Sequence, residues 1–366
     1  MNVAIIDADL IGRKSQRFPN LACMKLSAYH KLLNDNVILK LEYDDLQQFD
    51  KVYISKVFLD TEYPSEVLEL SNVKYGGTGF FYDKAEPLPY EIEHIKPDYH
   101  LYDEWSNDKL IKGMKPEKLQ YYTNFSIGFT TRGCIRQCSF CVNKNYKQAS
   151  LHSPIEEFLD KDRKYICLLD DNMFACKDWK SILTELHNTK KRFQFKQGLD
   201  ERLLTDEKCE MLFKSKWIGD YIFAFDNIKD KPVIEDKLKL IRKHTNIVPK
   251  FYVFCGYNHS DPDNYNDEFW KQDIIELFER IKVLASYSCL PYIMRYKDYE
   301  LSPYRGMYIN IARWCNQPSL FKKKSFKDFC IANGEESATM RYLRNFEDKF
   351  PEIADKYFDI KFTRLN

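Results

Sequence analysis

Hydrophobic and polar positions along this chain switch repeatedly between a strand period and a helix period. Residues 2–7 (NVAIID) form a short apolar run of strand length, and residues 21–34 carry apolar side chains at helical spacing. Val37–Leu41 and Lys51–Phe58 predict two more strands, with a turn near Tyr63-Pro64. Val73–Tyr75 then runs into Gly76-Gly77-Thr78-Gly79. Strands alternating with helices predict a small α/β layer. Ala85–Trp105 holds Pro87, Pro89 and Pro97 among acidic residues and reads as a connector.

From residue 124 the alternation sharpens. Asn124–Thr130, Lys164–Asp170, Arg192–Gln197, Asp220–Phe225, Lys250–Gly256 and Leu290–Arg295 are candidate strands. Helices are expected between them. Ser153-Pro154-Ile155-Glu156 has the form of a capping box with proline at the first helical position. Thr205-Asp206-Glu207 opens another helix with acids at its positive end. Lys231–His244 and Asp267–Ala285 show apolar residues three and four apart. Six strands joined by helical crossovers predict a parallel sheet, either open or curled into part of a barrel. Residues 300–366 are basic, aromatic and expected to be helical.

Composition narrows the class. Of 366 residues, 44% are hydrophobic and 30% charged, a globular balance with enough chain for two or three domains. Lys+Arg is 56 against Asp+Glu 55, so no global field marks a nucleic-acid or membrane binder. Asp7 comes too early for a secretory signal. The longest uncharged runs, Leu119–Thr131 and Val283–Met294, fall short of the ~20 residues that span a bilayer. A soluble, cytoplasmic protein without a membrane partner is expected. The 11 cysteines therefore point to metal or catalytic use before a disulfide framework.

Three of them, Cys134, Cys138 and Cys141, sit at C-x3-C-x2-C spacing in Thr131-Arg132-Gly133-Cys134-Ile135-Arg136-Gln137-Cys138-Ser139-Phe140-Cys141. At this cysteine content the pattern should arise by chance in roughly 0.01 of such chains. Thiolates are soft ligands that select zinc, copper(I) or iron–sulfur. Four would close a [4Fe–4S] cluster; three leave one iron with an open coordination position. Structural zinc prefers four ligands, commonly as paired C-x2-C, and this loop offers one such pair plus one cysteine. The other cysteines, Cys23, Cys167, Cys176, Cys209, Cys255, Cys289, Cys315 and Cys330, form no such pair and read as buried apolar residues.

The loop, Phe140 just before its third cysteine, the preceding strand and the strand–helix units that follow resemble the radical S-adenosylmethionine (SAM) superfamily over about residues 120–296. The resemblance implies a partial (β/α)6 barrel with a [4Fe–4S] cluster at the C-terminal mouth of its strands. In this family the amino and carboxylate groups of SAM chelate the open iron. One-electron reduction then releases a 5′-deoxyadenosyl radical that abstracts a substrate hydrogen. The resemblance also implies a one-electron reductant such as a flavodoxin or ferredoxin. The front layer resembles the small Rossmann-like α/β domain that precedes many such barrels, some of which bind cobalamin. Gly76-Gly77-Thr78-Gly79 would suit close approach of a phosphate or corrin tail. The usual D-x-H-x-x-G ligand pattern is absent, however, since none of His30, His94 and His100 sits in one. A degenerate layer is therefore the expectation, with cobalamin doubtful.

Further cofactor-binding candidates follow family usage, each beside a blander reading. Phe140 would pack near the adenine. Asp170, Asp171 and Asn172 end the second core strand, where carboxylates would suit the methionine ammonium; the alternative is a capped polar turn. Gln197 and Arg202 end the third strand and suit a carboxylate, or else form a solvated Asp–Arg turn. Asp226, with Asn227, would meet the ribose or make an Asx turn. Gly256 would admit the adenine or simply bend the chain.

The domain expectation is residues 1–105 for the front layer and connector, 106–299 for the core and 300–366 for a helical extension. The substrate, whether small molecule, peptide or nucleic acid, is not readable. The alternatives are a cobalamin-dependent methylase and, in another class, a zinc-stabilised protein whose tail (Arg305, Arg313, Lys322-Lys323-Lys324) binds nucleic acid.

Overall fold

The structure is a computed structural model that describes residues 1–14, 18–143 and 146–365. The chain forms two compact units. Residues 1–196 and 216–218 make the first, residues 197–215 and 219–366 the second. The division falls at the end of the third core strand, inside the expected 106–299 stretch.

In the first unit, β1 (Asn2–Asp7), β2 (Asn36–Leu39), β3 (Lys51–Ser55) and β4 (Val73–Gly76) form a parallel sheet in the order β2-β1-β3-β4. Val3–Ile6 are apolar without alternation because both faces of β1 are covered. Val3 and Ile5 pack with Cys23, Met24 and Leu26 of the helix Leu21–Leu32. Ala4 and Ile6 face Leu46, Val52, Ile54 and Val67. The Asn20 side chain caps that helix by accepting from the N–H groups of Ala22 and Cys23.

The segment 85–105, expected to be a connector, is instead part of this core. Ile92, Tyr99, Leu101, Tyr102 and Trp105 are buried with Val3 and Ile5. The Tyr99 hydroxyl donates to the Phe158 carbonyl at 2.6 Å and accepts from Ile127 N at 2.8 Å. Prolines punctuate the backbone here without keeping its aromatic side chains out of the interior.

β5 (Phe125–Gly128) pairs with β8 (Tyr165–Leu168), and β8 with β9 (Arg192–Phe195), all parallel. Between β5 and β8, β6 (Thr131–Arg132) and β7 (Ser150–Leu151) make a short antiparallel ribbon at the base of the cysteine loop. The expected cap at Ser153 does not form. The helix there is a single turn, Ile155–Phe158, and the Ser153 hydroxyl donates to Glu157 Oε1 at 2.6 Å.

In the second unit β10 (Ile222–Ala224), β11 (Lys250–Cys255) and β12 (Leu290–Arg295) are again parallel. They are linked by the helices Lys231–His244 and Asp267–Ser286. The extension is helical as expected, its longest helices being Arg305–Cys315 and Ala338–Lys349. The six core strands thus make two three-stranded ladders, not one continuous sheet. Gly198, at φ +95°, turns the chain out of strand conformation. The free edge of β10 is met by Leu199 N, which donates to the Ile222 carbonyl at 2.8 Å, and by Glu201 Oε2, which accepts from Ala224 N at 3.2 Å. Among the described residues no helix is long and apolar enough to cross a membrane.

Asp7, the last residue of β1, is buried and accepts from the Tyr102 hydroxyl at 2.9 Å. Burial pushes its carboxyl up to about 7, against the Tyr102 hydrogen bond and with Asp9 adding to the rise. The folded state therefore keeps a proton that the unfolded state releases near pH 4. This group's contribution to stability is complete below that pH and is lost as pH rises toward 7. Asp7→Asn should be more stable than the parent at pH 8, by on the order of 4 kcal/mol, with the difference vanishing at pH 4. Urea unfolding of both proteins at the two pH values checks this, and a difference independent of pH refutes it.

Candidate functional site

Cys134, Cys138 and Cys141 lie on the loop between β6 and β7, all three partly exposed, while the eight other cysteines are buried as expected. Gly133 enters the loop at φ +96°, and a Cβ there would stand 2.2 Å from the Gln148 carbonyl oxygen, so only glycine fits. A turn closed by Cys141 N on the Cys138 carbonyl at 2.9 Å folds the second half back. Sulfurs of this loop accept hydrogen bonds. Cys134 Sγ receives Arg136 N at 3.4 Å and Asn172 Nδ2 at 3.3 Å, and Cys141 Sγ receives Asn143 N at 3.3 Å. Among the described residues no three His, Cys, Asp or Glu side chains stand close enough to hold a single metal ion. In a cubane each cysteine binds a different iron, so convergence on one ion is not required.

The end of β8 supplies three consecutive groups to this loop. Asp170 is wholly buried and accepts from the N–H and Oγ1–H of both Thr130 and Thr131, at 2.6 to 2.9 Å. Burial pushes its carboxyl up, against those four donors. Asp171 accepts from Gly133 N at 2.9 Å through Oδ2 and from Asn143 Nδ2 through Oδ1. Asn172 reaches Cys134. Phe140 offers its carbonyl oxygen to the Tyr82 hydroxyl at 2.8 Å.

Arg132, at the root of the loop, lies 3.5 Å over the Phe129 ring and meets Glu93 at 3.4 Å. Glu93 also pairs with Lys25 at 3.0 Å and His152 at 3.4 Å. Burial raises the Glu93 carboxyl, but His152, Lys25 and Arg132 outweigh it and hold the group at about 2.

The remaining candidates belong to the second unit. Gln197 is exposed. Arg202 is held between Asp200 and Asp230, each at 2.7 Å. Asp226 Oδ1 accepts from Phe254 N at 3.0 Å, and burial pushes its carboxyl up. Gly256, at φ +78°, donates its N–H to Asp273 at 2.8 Å, and a Cβ there would touch Tyr299.

Sequence reasoning missed the groups that support these. Arg280 is buried and donates through one nitrogen to the carbonyls of Phe225, Asp226 and Phe254, tying the ends of β10 and β11 together. Asp273 accepts from Gly256 and from the Tyr308 hydroxyl at 2.7 Å. Glu201 is fully buried, and burial together with Asp200 pushes its carboxyl up to about 8. A signal existed for two of them: Asp273 and Arg280 are seven apart and lie on the apolar stripe of Ile274, Leu277 and Ile281.

At the C-terminal edge of the front sheet, the chain fills its own crevice. Asp9 is buried and accepts from Val57 N at 2.7 Å, Phe58 N at 3.3 Å and the Thr61 hydroxyl. Lys56 donates to the carbonyls of Thr61 at 3.1 Å and Leu59 at 3.4 Å and lies 4.5 Å from the Tyr63 ring centre. The glycine run packs on this lysine. A Cβ on Gly77 would stand 2.3 Å from the Lys56 carbonyl oxygen, and one on Gly79 2.6 Å from Lys56 Cγ. Gly77 and Gly79 thus make their close approach to the chain's own lysine, while Gly76 faces open space.

Asp170→Ala would strand four buried donors, each costing about 1–3 kcal/mol when unpaired, less what relaxation recovers. A loss of about 3 kcal/mol in urea unfolding is expected, and a loss below about 1 kcal/mol would contradict this account of the turn.

No protein-family model and no curated protein matches the chain. Among solved structures, the radical S-adenosylmethionine methyltransferase TsrM from Kitasatospora setae, with cobalamin and a [4Fe-4S] cluster bound, is similar with a TM-score of 0.52. The identity is 12%, over 81% of this chain and 75% of that one. The same methyltransferase with tryptophan substrate and the SAM analogue aza-SAM gives a TM-score of 0.51 at 12% identity, over 80% and 72% of the two chains. At such identity the likeness is one of architecture, and the chain has the fold of a radical S-adenosylmethionine methyltransferase.

Proposed function

We propose that the chain is a radical SAM enzyme whose cysteine loop holds a [4Fe–4S] cluster. The observation that carries this reading is the loop itself: three partly exposed thiols at C-x3-C-x2-C spacing, two of whose sulfurs already accept N–H hydrogen bonds, in a fold shared with TsrM. The donor set fits, since soft thiolates with N–H groups aimed at them suit iron–sulfur ligation. The β/α succession of the six core strands is the connectivity of a partial (β/α)6 barrel.

When bound, the cluster with SAM supplies a 5′-deoxyadenosyl radical that takes hydrogen from the substrate. The chain's residues do the holding. Cys134, Cys138 and Cys141 ligate three irons and leave the fourth open. Asp170 and Asp171 act as positioning residues, fixing the entry and exit of the loop. Phe140 lines the adenine side. Gln197, Asp226 and Gly256 are assigned to the methionine and nucleoside ends of SAM. Arg202, already neutralised by Asp200 and Asp230, presents an oriented edge and not a free charge. The electron comes from a one-electron reductant such as a flavodoxin or ferredoxin.

Cobalamin does not fit the front sheet on this reading. In open parallel α/β sheets, ligands enter the crevice at the C-terminal strand ends where the strand order reverses, which in the order β2-β1-β3-β4 lies between β1 and β3. Asp9 and Lys56 occupy that position with their own hydrogen bonds. The methylase alternative would require Asp9 and Lys56 to give way to a corrin.

Anaerobic reconstitution with iron and sulfide, then reduction with SAM present, should yield 5′-deoxyadenosine; each Cys→Ala variant should yield none. A loaded cluster that releases no 5′-deoxyadenosine defeats the proposal. About one zinc and no acid-labile sulfide in the purified protein would favour the zinc reading. Hydroxocobalamin added to the same preparation should leave no corrin absorbance after gel filtration; stoichiometric retention would restore the methylase reading.

A further inference from the structure

We infer that Asn172 sets the reduction potential of the cluster, through its side-chain hydrogen bond to the Cys134 sulfur. The inference rests on the proposed function and deepens it. It gives the end of β8 a role toward the cluster in place of the methionine end of SAM.

The geometry is specific. Residues 170, 171 and 172 reach three different parts of one loop: the turn before it, the peptide and side chain that flank its first and last cysteines, and a cysteine sulfur. The Asp170 oxygens are engaged by four protein donors and Asp171 by two, so both carboxylates are committed to the loop. Asn172 is buried, and its Nδ2 is 3.3 Å from Cys134 Sγ. Arg136 N and Asn143 N, which also donate to these sulfurs, are backbone groups that a substitution leaves in place. The Asn172 amide is a side chain, so through it the sequence can adjust charge on a ligand sulfur.

The direction follows from electrostatics. Reduction adds one electron, delivered by an external one-electron donor, and part of its charge resides on the ligand sulfurs. An N–H dipole pointing at a sulfur stabilises the reduced cluster more than the oxidised one and raises the potential. Asn172 is buried and Cys134 only partly exposed, so water screens this dipole less than at an open surface. Removing the donor should therefore make the cluster harder to reduce, with no ligand lost.

The test uses the full chain, reconstituted anaerobically, as wild type, Asn172→Leu and Asn172→Ala. Iron and sulfide content and melting temperature are measured first. Midpoint potentials then come from dithionite titrations followed by electron paramagnetic resonance. Wild-type loading with a lower midpoint potential in both variants is the expected result. Failure of both variants to load, each melting with the wild type, overturns the inference, because the bond would then serve cluster uptake and not the potential. Should the leucine variant melt early, the alanine variant, which adds no bulk, decides. Full loading with unchanged potentials overturns the inference while leaving the proposed function standing. A wild-type protein that takes up no cluster overturns the proposed function and this inference with it.

Discussion

Thr130 and Thr131 close onto Asp170 through two backbone and two hydroxyl donors, and the order of the cysteine loop depends on that closure. A carboxylate carried into the interior is tolerated only when its lone pairs are filled, and here four donors from two adjacent residues fill them. In consequence the backbone at 130–131 has one geometry available. β6 leaves from that turn, and its short ribbon with β7 brings the two ends of the loop together. Asp171 then fastens the loop on both sides of its cysteines. Sulfur atoms on a segment without regular structure thus acquire fixed places from one strand end.

Much of this is legible in the chain. The strand Leu290–Arg295, the whole of β1 and the helix Lys231–His244 have the limits that their patterns predict, because each has an uninterrupted period. The burial of the eight cysteines outside the C-x3-C-x2-C loop is as their lack of paired spacing predicts. Other features depend on partners distant in sequence. Tyr99, Tyr102 and Trp105 lie in a proline-rich stretch that lacks a period, so their burial cannot be read locally. The interruption between β9 and β10 follows from Gly198 and from Glu201 meeting the open edge, neither of which has a distinctive pattern. Asp170 and Asp171 stand out in the sequence as functional candidates, yet whether a carboxylate faces a ligand or a backbone is decided only by the fold around it.

The second unit uses charge differently. Arg280 and Asp273 sit on the buried stripe of one helix but do not neutralise each other by a direct bond. Each is satisfied by the strand ends and loops it anchors, Arg280 by three carbonyls and Asp273 by an amide and a phenol. Buried ionic groups satisfied in this way contribute little net stability but permit few alternative arrangements. The residues thereby fixed are Asp226 and Gly256, each held at a strand end by a group from the helix Asp267–Ser286.

Asp9 has a consequence of another kind. Consecutive amides at a strand end usually greet an oxyanion brought by a visitor. In this chain Val57 and Phe58 give theirs to an acid that is already a resident. A phosphorylated guest would have to evict a covalently tethered competitor and endure its negative charge at contact range. This edge of the front layer is thereby tied together by hydrogen bonds among the chain's own groups, with a side chain from one strand end anchoring the loop that follows another.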